Sequence, residues 1–217
     1  MLLSLFSSFD PTSYFNMKLN WLSTFIMFII MPQMLWLSNS KLSYMYYNSM
    51  FLLYKEMNII MKNKNNMIIF MCLFMTISMN NLMGLIPYIF TSSSHLMFSM
   101  TFSMTLWISF MLYGWTNKTN HMFTHLVPKS TPSLLMPFMV LIESISNIIR
   151  PYTLSIRLSA NMIAGHILLT LIGNTEKNSS YVIMLILIQN LLMILELSVT
   201  FIQAYVFSIL SILYASE

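Results

Sequence analysis

SIRLSANMIAGHILL, residues Ser155–Leu169, places a guanidinium in the middle of an apolar run and a histidine nine positions later. Arginine stays protonated in proteins, so Arg157 brings a permanent charge into a segment that otherwise reads as buried in lipid. Outward from this stretch the helical pattern runs unbroken from Pro132 to Ile172, about 41 residues or about 60 Å at 1.5 Å per residue. A second such pattern, Tyr181 to Tyr214, covers about 34 residues and about 50 Å. A bilayer core is only about 30 Å thick and ordinary tilts are about 20°, so both segments exceed a simple crossing. Two shorter crossings in the first would need a charged or Gly-rich turn. Pro151 alone interrupts it, and a proline in a membrane helix often only kinks it. The expectation is two long, steeply tilted helices joined by the polar loop GNTEKNSS, Gly173–Ser180.

Composition supports a lipid solvent for the whole chain. Of 217 residues, 57% are hydrophobic and only 7% charged, whereas a soluble domain carries roughly a quarter charged residues. The expected fold is therefore an all-α integral membrane protein of about five transmembrane helices, forming a single membrane domain over 1–217. Besides the long helices at 132–172 and 181–214, spans are expected at 19–37, 67–90 and 96–115. Between the first two lies 38–66, which holds Lys41, Lys55, Lys62 and Lys64. There Met57, Ile60 and Met61 recur at helical spacing, as in an amphipathic helix lying on the membrane surface.

Several function classes are excluded at this stage. Four glycines leave no phosphate-cradling loop, and neither a P-loop nor a dinucleotide fingerprint is present. His121 and His125 are spaced i,i+4 but lack a third ligand nearby, so no metal and no cofactor is expected. The lone Cys72 sits in an apolar run and reads as a small hydrophobe. The net charge of +4 comes from lysines scattered among loops, which is not a nucleic-acid-binding patch. MLLSLFSSFDPTSYFN lacks the basic region and cleavage site of a secretory signal and the arginines of a transit peptide. The 24 methionines suggest the codon usage of an AT-rich organellar genome. With five passes, Lys41, Lys55, Lys62, Lys64, Lys118 and Lys129 share one side, which places the C-terminus inside and the N-terminus outside.

The charges inside the long helices carry the functional reading. Each costs about 2.5 to 3.5 kcal/mol at mid-membrane even on the lenient insertion scale. Glu143, Arg150 and Arg157 are spaced by seven, so each returns to within about 20° of the last. Asn147 and Asn161 broaden this stripe. Gln189, Glu196 and Gln203 repeat the spacing on the last helix, broadened by Thr200. Two such stripes on antiparallel neighbours imply facing polar surfaces or water-filled clefts. Glu143 and Arg150 fit a structural ion pair. Arg157 does not, because its flanks (Ser159, Ala160, Asn161, Ala164, Gly165) are small or polar and let something approach closely. His166 stands about 13 Å further along the axis and half a turn round, and histidine exchanges its proton near neutral pH.

SIRLSANMIAGH together with LELSVTFIQAYVFSIL resembles subunit a of F-type ATP synthases in its mitochondrial form, and NNLMGLIPY (Asn80–Tyr88) and LFSSFDP match the same family. The resemblance covers essentially the whole chain. It implies two highly tilted helices against a rotating ring of c subunits, with other membrane-sector and peripheral-stalk subunits as further partners. It also implies a non-catalytic, proton-conducting role in the mitochondrial inner membrane, with the C-terminus on the matrix side. By this resemblance Arg157 is the essential stator arginine, and His166 and Glu196 belong to a half-channel open to the intermembrane side. Glu143 and Glu217 match acidic positions of the matrix half-channel, and Asn161 and Gln203 match polar positions near the arginine. Arg150 stands where other members often have a neutral residue and receives no role.

The physics agrees with that implication. A proton needs ionisable groups and water in two clefts, and joined clefts would leak. A fixed charge at Arg157 keeps them apart, because it repels a passing proton. A carboxylic acid on a moving partner gives up its proton beside Arg157, since an opposite charge favours the ionised form. It must be reprotonated before it enters lipid, so the proton crosses only by riding the partner. At about 2.3 kcal/mol per charge per 100 mV, several protons can drive synthesis elsewhere in the complex. A proton-coupled secondary transporter or a proton-pumping respiratory subunit would instead show internal repeats or broken helices in matched halves, and none is visible. A purely structural scaffold leaves the aligned charges without a purpose.

Overall fold

The structure is a computed structural model that describes residues 6–12, 17–32, 40–61, 66–86, 89–127, 132, 135–174 and 182–216. Every regular element among them is helical. A 3-10 turn at Ser7–Phe9 is followed by a 3-10 turn at Leu19–Leu22 that continues into α1, Ser23–Ile30. Then come α2 (Lys41–Ile60), α3 (Met67–Gly84), a 3-10 turn at Ser92–Ser94, α4 (Leu96–Asn117) and α5 (Thr119–Leu126). The chain ends in α6 (Met136–Asn174) and α7 (Val182–Ser216).

Four of these, α3, α4, α6 and α7, are long and apolar enough to cross a membrane. The expected first span is described only over Leu19–Ile30, and residues 33–39 lie outside the described part. Helix α3 is shorter than the expected 67–90. Its backbone tightens into i→i+3 bonds, Leu85 N–H to Leu82 O (3.2 Å) and Ile86 N–H to Met83 O (3.2 Å), directly after Gly84. Pro87 lacks the N–H that would continue the helix. A Cβ on Gly84 would stand 2.9 Å from Met162 Cε and 3.2 Å from Thr91 Cγ2, so the bare glycine lets both pack closely on this end of α3.

The long-helix expectation holds. Helix α6 has 39 residues and α7 has 35, about 58 and 52 Å at the usual rise. Pro151 sits inside α6 and is buried without ending it. A proline removes one backbone donor, a defect that neighbouring helices can accommodate in a membrane protein.

Helix α3 is the most deeply buried of the long helices. It packs on α7, while α6 lies between α4 and α7. Phe70, Leu73, Phe74 and Ile77 of α3 join Leu158 of α6 and Ala204, Phe207 and Ile212 of α7 in one core. Small hydroxyl residues let the backbones close up, and they bond their own helix. Ser155 donates to Tyr152 O (2.8 Å), Ser159 to Ile156 O (3.2 Å) and Ser208 to Tyr205 O (2.9 Å). A buried hydroxyl is thereby satisfied within its own helix, and Ser155 also reaches Met100 Sδ of α4 at 3.1 Å.

Helix α2 occupies the expected surface segment. Ser40 caps it, its Oγ accepting from Ser43 N–H at 3.2 Å. Met57 and Met61, read as one face from their spacing, are buried in the core, so this helix is attached to the bundle. Tyr205 of α7 donates to Glu56 Oε2 at 3.1 Å across the same contact.

Candidate functional site

The charged stripe of α6 divides into two environments. Glu143 and Arg150 form an ion pair at 3.6 Å, both side chains about one-third exposed (36% and 34%). The Arg150 guanidinium also lies 5.5 Å from the centre of the Tyr214 ring, which ties this end of α6 to the end of α7. This is the structural pairing expected for the two residues. Arg157, one heptad further on, is exposed.

The flanks of Arg157 are sorted by helical periodicity. Ala160, Asn161 and Ala164 are exposed on its side of α6, whereas Leu158, Ser159, Met162 and Gly165 are buried on the other. The small residues thus serve two purposes that the sequence ran together. One set leaves a low, bare surface around the guanidinium, and the other lets α6 approach its neighbours.

Gly165 explains how α7 is seated. A Cβ there would lie 2.5 Å from Oε1 and 2.7 Å from Cδ of Glu196. Any side chain at this position would push that carboxyl group from where it sits. Glu196 is 8% exposed, and neither carboxyl oxygen has a hydrogen-bond partner among the described residues. It lines a cavity of about 180 Å³ between α6 and α7, whose polar members are Asn81, Asn161, Glu196, Thr200 and Gln203. Asn81, 1% exposed, likewise leaves its Oδ1 unanswered among the described residues. A carboxyl and an amide buried without partners are costly in a packed interior, so they mark a place where water or another group belongs.

His166 stands at a different cavity. This larger space, about 890 Å³, lies where α6 ends and α7 begins, and Thr170, Gln189, Asn190, Asp10 and Asn20 also line it. The His166 ring faces the Gly84 backbone, and its Nε2 is buried without a partner among the described residues. The Phe9 ring meets it edge-on, centroids 6.0 Å apart. Leu85 lines both cavities.

The α7 stripe is split as well, with Gln189 at the larger cavity and Glu196 and Gln203 at the smaller. Of the residues singled out from sequence, the structure gathers Glu196, Asn161 and Gln203 around one space and gives His166 another. Glu143 is set apart with Arg150, and Glu217 lies outside the described residues. The exposed His121 is not among the residues lining either cavity, and the side chain of His125 lies outside the described part. Sequence reasoning missed Asn81, His95 and Asp10 as neighbours of the site. Asn81 had a signal, since two adjacent asparagines end an otherwise apolar helix. The other two had none, because their role depends on segments far apart in the chain.

Comparison with known proteins adds a second line of evidence. The family described as ATP synthase A chain matches residues 17–216. A Drosophila melanogaster protein named ATP synthase subunit a is 51% identical over 222 residues, spanning 100% of this chain and 99% of its own length. The protein of that name from Locusta migratoria is 53% identical over 223 residues with the same coverage. Its counterpart in Aedes aegypti is 51% identical over 224 residues, again covering 100% and 99%.

Proposed function

The chain belongs to the ATP synthase A chain family, the proton-translocating subunit of the synthase's membrane sector, and on that premise we propose that Arg157 separates two half-channels on it. The larger cavity, with His166, is the outward entry. The smaller, with Glu196, Asn161 and Gln203, hands the proton to a carboxylic acid on a rotating ring of c subunits. Glu143 and Glu217 serve release on the matrix side. The chain catalyses no bond-making itself, acts as one membrane domain in the mitochondrial inner membrane with its C-terminus in the matrix, and is held by further membrane-sector and peripheral-stalk subunits.

One observation carries this reading. The guanidinium of Arg157 lies on the uncovered side of a 39-residue helix, on the face opposite the residues α6 packs with. An exposed charge there cannot rest against lipid tails, which favours a partner that brings a carboxylate past it. Its neighbours Ala160, Asn161 and Ala164 keep the surface low enough for another helix to slide by. Arginine rather than lysine suits the task, because a desolvated lysine can lose its proton and would relay protons between the two sides.

The test is Arg157→Gln in energised vesicles, with proton flux and ATP synthesis both measured per assembled complex. The expected outcome is no synthesis together with a passive proton leak, while Arg157→Lys retains some coupling. Normal coupled synthesis by the glutamine variant sinks the proposal. Lower complex abundance with unchanged coupling would instead mark Arg157 as structural.

A further inference from the structure

We propose that His95 is a positioning residue for His166, acting through the Phe6–Thr12 segment, which it clamps as a wall of the larger cavity. The proposal rests on the reading of that cavity as the outward half-channel.

His95 precedes α4 and its ring is held by two others. Trp21 lies 5.3 Å and Phe90 5.2 Å from it between ring centres, and those two rings are 5.5 Å from each other. Ser23 fixes the cluster further by donating to the Phe90 carbonyl at 3.2 Å. The imidazole is therefore aimed rather than free to swing. Its Nε2 lies 3.0 Å from the carbonyl oxygen of Phe9, 86 residues earlier in the chain. A carbonyl only accepts, so Nε2 donates, which the neutral Nε2–H ring and the doubly protonated ring can both do.

The segment needs such a clamp. Its only regular structure is a 3-10 turn of three residues, too short to persist alone. Asn20 supplies a second clasp, its Nδ2 donating to the Asp10 carbonyl at 3.0 Å and the Thr12 carbonyl at 3.4 Å. Held at both points, the segment sets the Phe9 ring perpendicular to His166, with an interplanar angle of 88°. It also contributes Ser8 and Asp10 to the cavity wall, and Asp10 is the one acid among the described residues that line it. Without the clamp, His166 would lose the wall that fixes its ring, and the cavity would lose its acid.

The experiment uses the intact synthase in membranes. His95→Phe keeps a ring between Trp21 and Phe90 but removes the donor, and His95→Gln restores an N–H donor without the ring. Hydrogen exchange of the Phe6–Thr12 backbone and proton flux per assembled complex are read separately, with ring association checked in each variant. Expected for His95→Phe is exchange faster by roughly threefold to tenfold, the worth of one net hydrogen bond, together with a several-fold loss of flux. His95→Gln should recover much of both. Unchanged exchange in His95→Phe overturns the clamp. Faster exchange with normal flux overturns its link to His166, and identical behaviour of the two variants shows that packing, not the donor, matters. Normal flux in His166→Ala overturns the cavity reading instead, and the exchange measurement tells that failure from failure of the clamp.

Discussion

Helix α3 and the most apolar stretch of α7 are treated in opposite ways by the bundle, although the later turns of α7, with Ala204, Phe207 and Ile212, join the core. In α3, over Met67–Gly84, 56% of the apolar window is buried inside the chain. In α7 the corresponding share is 6%, although its window is the more hydrophobic of the two, with mean hydropathy 2.3 against 1.7. Hydrophobicity therefore does not decide which helix becomes the core. In lipid an apolar side chain gains little by leaving the tails for another helix, so packing shape decides instead. Helix α3 ends in Asn80, Asn81 and Gly84, which need or permit close neighbours. Helix α7 carries Ile183, Leu187, Leu191 and Ile194 on the outside, where lipid or another subunit meets them.

A bulky group placed on the uncovered surface should break the contrast most severely. Ala160→Trp, on the side of Arg157, is expected to abolish coupled synthesis by blocking the approach of the ring, while the chain still inserts and folds. Quantifying ring association and synthesis in purified complexes checks this. Ring-bound, fully coupled enzyme would mean that nothing slides along this part of α6.

The next effect is one of stability. Phe70, 2% exposed in α3, should cost about 3 to 5 kcal/mol when truncated to alanine, because the cavity left behind cannot collapse. Phe201, 48% exposed on α7, should cost far less on the same change. Thermal unfolding of the two variants in detergent gives the comparison directly, and equal losses would erase the distinction between covered and uncovered helices.

A subtler change concerns the seam between the two regions. Gly165→Ala forces the Glu196 carboxyl away from its seat, since the new Cβ would overlap Oε1. Proton flux per complex should fall by on the order of tenfold to a hundredfold, the scale on which misplacing a proton-transfer group by about an ångström is felt. Assembly should stay near normal. Unchanged flux in an assembled enzyme would remove Glu196 from the path.

The smallest effect is expected at Glu143 and Arg150. Their separation of 3.6 Å and their partial exposure limit the coupling to about 0–1 kcal/mol in a double-mutant cycle. A larger value would show that this end of α6 is more enclosed in the membrane than its surface suggests.

The sequence by itself determined the class and the long helices. A chain this poor in charge can only be solvated by lipid, and an unbroken helical pattern longer than a bilayer must tilt. Heptad spacing also aligned Glu143, Arg150 and Arg157 on one stripe, as the helix repeat requires. Sequence reasoning also named Glu143 and Arg150 as a pair, as the structure has them. It could not name Tyr214, which arrives beside Arg150 from the far end of α7. It could not sort Ala160, Asn161 and Ala164 from Ser159 and Gly165, because small residues look alike until a neighbour covers one side. The close approach of Met162 and Thr91 to Gly84 at the end of α3 likewise appears only in the folded chain. The placement of His166 and Glu196 at separate cavities, and of Phe9 under His95, arose only in the folded bundle. These are contacts between segments tens of residues apart, and local pattern carries no information about which distant side chain will fill a given space.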